Sequence, residues 1–130
     1  MPNAANGVTI TSATTVIFCT RAGDRQPASD DPVVRAASIA QGRDDVLALT
    51  VYNSGSTPAE IKCDDCHPDV TAWPNSGAVP ADQWMPLPAG ASVTLRANRS
   101  FPGARNQIDK VSARCPTGTT TIGWGVTEWG

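Results

Sequence analysis

Glycine and proline punctuate this chain so often that no window of a dozen residues holds a helical apolar period free of both. A helix needs an unbroken backbone ladder, which proline interrupts and glycine weakens. What remains between the breakers are short runs rich in Val, Thr and Ile, the residues that suit a pleated, half-buried surface. The chain is therefore expected to be all-β.

The runs can be placed one by one. Val8 to Thr11 and Thr15 to Thr20 are β-branched and separated by small residues, giving two short strands or one bent strand. Arg21 to Pro32 has almost no apolar content and reads as a long exposed loop. Val33 to Ala40 mixes helix-favouring Ala with paired Val after a proline, and is read as a strand. Val46 to Asn53 is apolar on both alternating faces, as in a central strand covered on both sides. Ala59 to Lys62 continues extended, and Cys63 to Gln83 is loop-like because Pro68, Pro74, Gly77 and Pro80 break it. Trp84 to Gly90 leads through a turn into an amphipathic strand, Ala91 to Ala97, with Val93 and Leu95 on one face. Ile108 to Cys115 alternates from Asp109, setting Val111, Ala113 and Cys115 against Lys110, Ser112 and Arg114. After Pro116-Thr117-Gly118, the stretch Thr119 to Trp129 answers with Ile122, Trp124 and Val126 on one face, so the last two segments read as a hairpin. Seven or eight short strands in one domain spanning 1–130 predict an antiparallel β-sandwich, jelly-roll or immunoglobulin-like, with 1–7 an extended N-terminal arm.

Composition narrows function by exclusion. At 40% hydrophobic and 17% charged, the 130 residues carry enough apolar surface to fold. A net charge of −2 with scattered Lys and Arg argues against a nucleic-acid partner, which needs a concentrated basic surface. No stretch approaches the about 18 apolar residues of a membrane span, and the N-terminus lacks the basic start and apolar run of an export signal. The chain reads as soluble and unexported, so its four cysteines are expected to be mostly reduced, with Cys19 and Cys115 buried as small hydrophobes.

Cys63-Asp64-Asp65-Cys66-His67 is the one stretch that matches a chemical motif. Two thiols three apart with a following His are what covalent haem attachment requires, but the export signal and helical surroundings of such sites are missing. Zinc is the stronger metal alternative, with Cys63, Cys66, His67 and either Cys115 or Cys19 as corners. Adjacent Cys66 and His67 make a strained ligand pair, however, and a second Cys or His pair is lacking. Thiols in a loop are the leading expectation, ahead of a Cys63–Cys66 disulfide. The acid pairs Asp30-Asp31, Asp44-Asp45 and Asp64-Asp65 read as solvated turn residues, since no calcium-loop spacing surrounds them. With His67 as the only histidine, and no Gly-x-Ser-x-Gly or phosphate-binding loop, no catalytic, cofactor or metal residue is assigned and the chain is expected not to be an enzyme. Trp73, Trp84, Trp124 and Trp129 are not spaced as a sugar-stacking strip. Trp124 is expected in the core, and Trp73 and Trp84 at the edge of the proline-rich loop.

The order of turn and strand segments from 46 to 129 carries a resemblance. Asn53-Ser54-Gly55-Ser56-Thr57-Pro58-Ala59 closes a strand. Trp84 and Leu87-Pro88-Ala89-Gly90-Ala91-Ser92-Val93-Thr94-Leu95 follow, then Ile108 to Ala113 and Gly118-Thr119-Thr120-Thr121. This order resembles small bacteriophage virion proteins, most of all the head decoration or cement proteins built on a β-sandwich. The resemblance implies a structural protein without cofactor, a homo-oligomer with the trimer favoured, bound to the major capsid protein on the outer capsid surface after assembly in the host cytoplasm. A phage tail or fibre module, a glycan-binding β-sandwich and a small zinc protein are the alternatives. The N-terminal arm, Arg21 to Pro32 and Cys63 to Gln83 are the expected contact segments.

Overall fold

The computed structural model describes residues 7–20, 33–35, 46–64, 68–71, 77–79, 83–97 and 107–129. Among them eleven strands and no helix are present: β1 (Val8–Ile10), β2 (Thr14–Cys19), β3 (Val33–Arg35), β4 (Val46–Asn53), β5 (Ala59–Cys63), β6 (Pro68–Thr71), β7 (Gly77–Ala78), β8 (Met85–Leu87), β9 (Ser92–Ala97), β10 (Lys110–Arg114) and β11 (Thr120–Trp129). One sheet runs β1-β11-β4-β9-β6-β7 and the other β3-β2-β10-β5-β8. Every pairing is antiparallel except β2 with β3. The expected β-sandwich is therefore present.

Leaving β3, β6 and β7 aside, the remaining eight strands cross to the opposite sheet at every step along the chain except from β5 to β8, which pair within one sheet. Their orders, β1-β11-β4-β9 and β2-β10-β5-β8, are those of a jelly roll, two nested Greek keys wrapped into a sandwich. With β3, β6 and β7 the strands number eleven among the described residues, more than the seven or eight expected. Of the other three, β3 extends the sheet edge beside β2, and β6 with β7 extends the first sheet beyond β9.

Wrapping of this kind corrects the expected hairpin between the last two strands. β10 lies between β2 and β5, whereas β11 lies between β1 and β4 in the facing sheet. Alternation had the right period but carries no information on which sheet holds the partner. Two further expectations change. The stretch 63–83, expected as loop, contains β6 and β7, with Pro68 tolerated as the first residue of its strand. β4 is central in its sheet as expected, but only one face is fully buried, because Leu47, Thr50 and Tyr52 remain partly accessible. Of the expected strand Val33 to Ala40, the first three residues form β3 and the rest lie outside the described residues.

The core fills the space between the sheets. Leu49, Val51, Val93 and Leu95 from one sheet meet Ile17, Phe18, Ile61 and Val111 from the other. Phe18 and Trp124 join the two layers edge to face, their ring centroids 4.9 Å apart, so Trp124 is a core residue as expected. A register shift in the β2–β10 ladder at Ile17 lets Ile17 and Phe18, adjacent in sequence, both reach this core.

A jelly roll sorts its connections by length onto two ends. At one end lie the four short ones, 11–13, 54–58, 88–91 and 115–119. Asn53, itself buried, ties them together. Its Nδ2 donates to Thr57 O (2.8 Å) and Leu87 O (3.1 Å), while its Oδ1 accepts from Gly55 N (3.1 Å) and Thr120 Oγ1 (2.7 Å). Backbone bonds from Asn53 N to Ala91 O, Ser54 N to Thr121 O and Cys115 N to Thr11 O close the same end. Gly90 adopts φ +78°, the left-handed conformation a tight turn needs, and Gly55 passes so close to Thr120 that a Cβ would collide with its hydroxyl.

Candidate functional site

The opposite end receives everything long. β2 ends and β4 begins there, as do β5 and β8, and β9 and β10, so the connections 20–45, 64–84 and 98–109 all leave and return at this end. Trp129, the last residue of β11, lies at this end too, paired with Val46, whereas Val8 of β1 pairs with Ile122 and so stands level with Asn53, toward the other end. Of the expected contact segments, 21–32 and 63–83 belong to connections that leave and return at this end and 1–7 precedes β1, while Trp73 and most of these residues lie outside the described ones.

Beside this end, the outer face of the second sheet carries an unusual set of side chains. Alternation sends Ala59, Ile61 and Cys63 of β5, and Val111 and Ala113 of β10, into the core. It leaves Glu60, Lys62, Ser112 and Arg114 on the far face, where the register sets Ser112 opposite Lys62 and Arg114 opposite Glu60. The ladder continues one step past β5, Asp64 N donating to Lys110 O at 3.1 Å. In sequence Asp64 reads as a solvated turn residue. It does stand at a turn, but it is not solvated: Lys62, Asp64, Lys110 and Ser112 are each no more than 3% exposed.

Burial of charge is costly unless each charge meets a partner. Here two ammonium groups converge on one carboxylate. Lys62 Nζ is 3.4 Å from Asp64 Oδ1 and Lys110 Nζ is 3.8 Å from Oδ2. Ser112 Oγ donates to the same Oδ2 at 3.1 Å. Trp84 stands at the margin of the cluster, its ring centroid 5.0 Å from Lys62 Nζ and 4.0 Å from the Arg114 guanidinium, which also bonds Glu60 at 2.7 Å. On the other side of β10, Thr20 Oγ1 donates to the buried Asp109 carboxylate at 3.1 Å.

The cysteine motif is not assembled into a site by the described residues. Cys66 and His67 lie outside them. Cys63 points into the core opposite Val111, while Cys19 pairs with Lys110 and so takes the other face of the sheet. Cys115 sits four residues beyond Val111, about 13 Å along the strand. Neither Cys19 nor Cys115 is therefore brought to Cys63 as a further corner of a zinc tetrahedron. Both are buried as expected, and Cys115 Sγ donates to Pro58 O at 3.4 Å. Among the described residues, no group of three or more His, Cys, Asp or Glu is placed to hold a metal ion. No helix among them is long and apolar enough to cross a membrane.

Comparison with protein-family models, with curated proteins and with solved structures finds no match to this chain.

Proposed function

We propose that this chain is a structural virion protein, a decoration module that docks by its long-connection end onto the major capsid protein and braces the capsid lattice as a symmetric cluster, most simply a trimer. The observation that carries the reading is the polarity of the roll. One end is tied shut by Asn53 and short turns, and three long connections leave and return at the other. Rigid sheets that present variable connections at one end are the usual arrangement of a binding module. Three of the segments behind the resemblance to decoration proteins, 53–59, 87–95 and 118–121, meet around Asn53, so they supply the scaffold and leave the opposite end for recognition. Jelly rolls occur among viral capsid domains and lectins alike, so the fold alone does not choose between them. Against a glycan platform, Arg114 already lies over the Trp84 ring.

Co-sedimentation of the purified protein with undecorated capsids, read with negative-stain images, tests the proposal. Stoichiometric binding is expected, weakened by deletion of residues 1–7 and by Trp84→Ala or Trp73→Ala in folded protein. Unchanged binding would reject those contacts, and no binding to capsids would reject the capsid role.

A further inference from the structure

The cluster of Lys62, Asp64, Lys110 and Ser112 is arranged for a covalent step. We propose that Lys110 and Asp64 become joined by a side-chain amide, an internal cross-link between β10 and the end of β5. The inference stands on the geometry of this cluster and is independent of the capsid reading.

The reacting groups are held by the backbone. The bond from Asp64 N to Lys110 O makes the two residues neighbours across the ladder, and both side chains are 3–4% exposed. Lys110 Nζ lies 3.8 Å from Oδ2, in contact with the carboxyl group whose carbon it must approach to about 3–3.5 Å for attack. Fixing two reactants in this way replaces the effective molarity of solution with one of about 10⁵ M or more.

The two carboxylate oxygens have different surroundings, and the difference assigns their roles. Oδ2, touched by Lys110 Nζ and by the Ser112 hydroxyl, is the leaving oxygen. Oδ1, with Lys62 Nζ at 3.4 Å, is the oxygen on which negative charge gathers when the carbonyl carbon becomes tetrahedral. A proton passes from the Lys110 ammonium to Oδ2, and the resulting amine lone pair attacks Cγ, forming the C–N bond. A second proton moves from that nitrogen to Oδ2, the Cγ–Oδ2 bond breaks, and water departs. Nothing is oxidised or reduced, no co-reactant enters, and Lys62 keeps its charge throughout. One ammonium and one carboxylate become a neutral amide and one water. Burial protects the product by keeping out the water that hydrolysis needs, and Lys62 Nζ, beside the Trp84 ring, is left facing the amide oxygen that was Oδ1.

The Trp84 ring beside Lys62 gives the positioning lysine a second support. A cross-link here would close the loop from 64 to 110 and tie together two adjacent strands of the second sheet at the end where the long connections leave it.

Mass spectrometry of the full-length protein, kept folded at neutral pH for several days and then denatured, is the test. The expected mass is the sequence mass less one water, and digestion should release a branched peptide joining Lys110 to Asp64. Lys110→Arg should abolish the water loss. Lys62→Met should slow it by about a hundredfold, the order seen when one oxyanion donor is removed. Full sequence mass in a folded wild-type sample overturns the proposal, and so does a water loss mapped to any other pair. The wild-type measurement decides even where a variant fails to fold.

Discussion

At Asn53 a single amide side chain holds groups from three segments: Thr57 O and Gly55 N after β4, Leu87 O at the end of β8, and Thr120 Oγ1 at the start of β11. In sequence this residue reads only as the end of a strand before a Ser-Gly turn. Two of its partners are 34 and 67 residues away, and nothing local announces them. The same blindness applies to Lys62, Asp64 and Lys110, whose polar alternation is that of a wet face although the face is buried. Replacing Asn53 by Ala leaves these partners inside the protein without their bonds, at a cost of about 3 kcal/mol or more. Thermal unfolding of Asn53→Ala should show a Tm lowered by roughly 10 °C. A shift within 2 or 3 °C would mean that water or neighbouring groups take over the bonds, and that Asn53 does not hold this end.

Among the elements, β4, β9 and β2 were legible because their apolar runs are long and branched, and their faces can be counted. β6, β7 and β8 were not, since each is short and lies next to proline, and pairing to an already formed edge rather than local propensity makes them strands. The false hairpin between β10 and β11 has the same origin: periodicity assigns faces but not partners. The difference between central and edge strands should appear in amide exchange. β4 and β10 are paired on both sides, by β11 and β9 and by β2 and β5, whereas β1 pairs along three residues of β11 only. Hydrogen exchange is expected to be slowest in β4 and β10, approaching the global stability, and faster by orders of magnitude in β1. Equal protection across these strands would show that the sandwich opens only as a whole.

For the molecule as a whole, the wrapped topology turns a list of loops into two ends with different duties. Jelly-roll order requires that connections alternate between the ends, so three long ones spaced along the chain arrive together while the short ones close the other side. If the long-connection end is the recognition surface, chain added at the short end must be neutral for capsid binding. Pro116 to Thr119 is the place to try it, because these residues are exposed and the Asn53 bonds run beside them without using their side chains. A short Gly-Ser insertion after Thr117 costs little in loop-closure entropy, well under about 1 kcal/mol. Such a variant should fold, bind capsids with unchanged affinity and carry its insertion away from the shell. An insertion of the same length between Asp82 and Gln83, next to Trp84 at the other end, should weaken binding at least tenfold. Loss of binding from the first insertion, with the fold intact by circular dichroism, would assign recognition to the short-connection end and reverse the orientation proposed for the roll on the capsid.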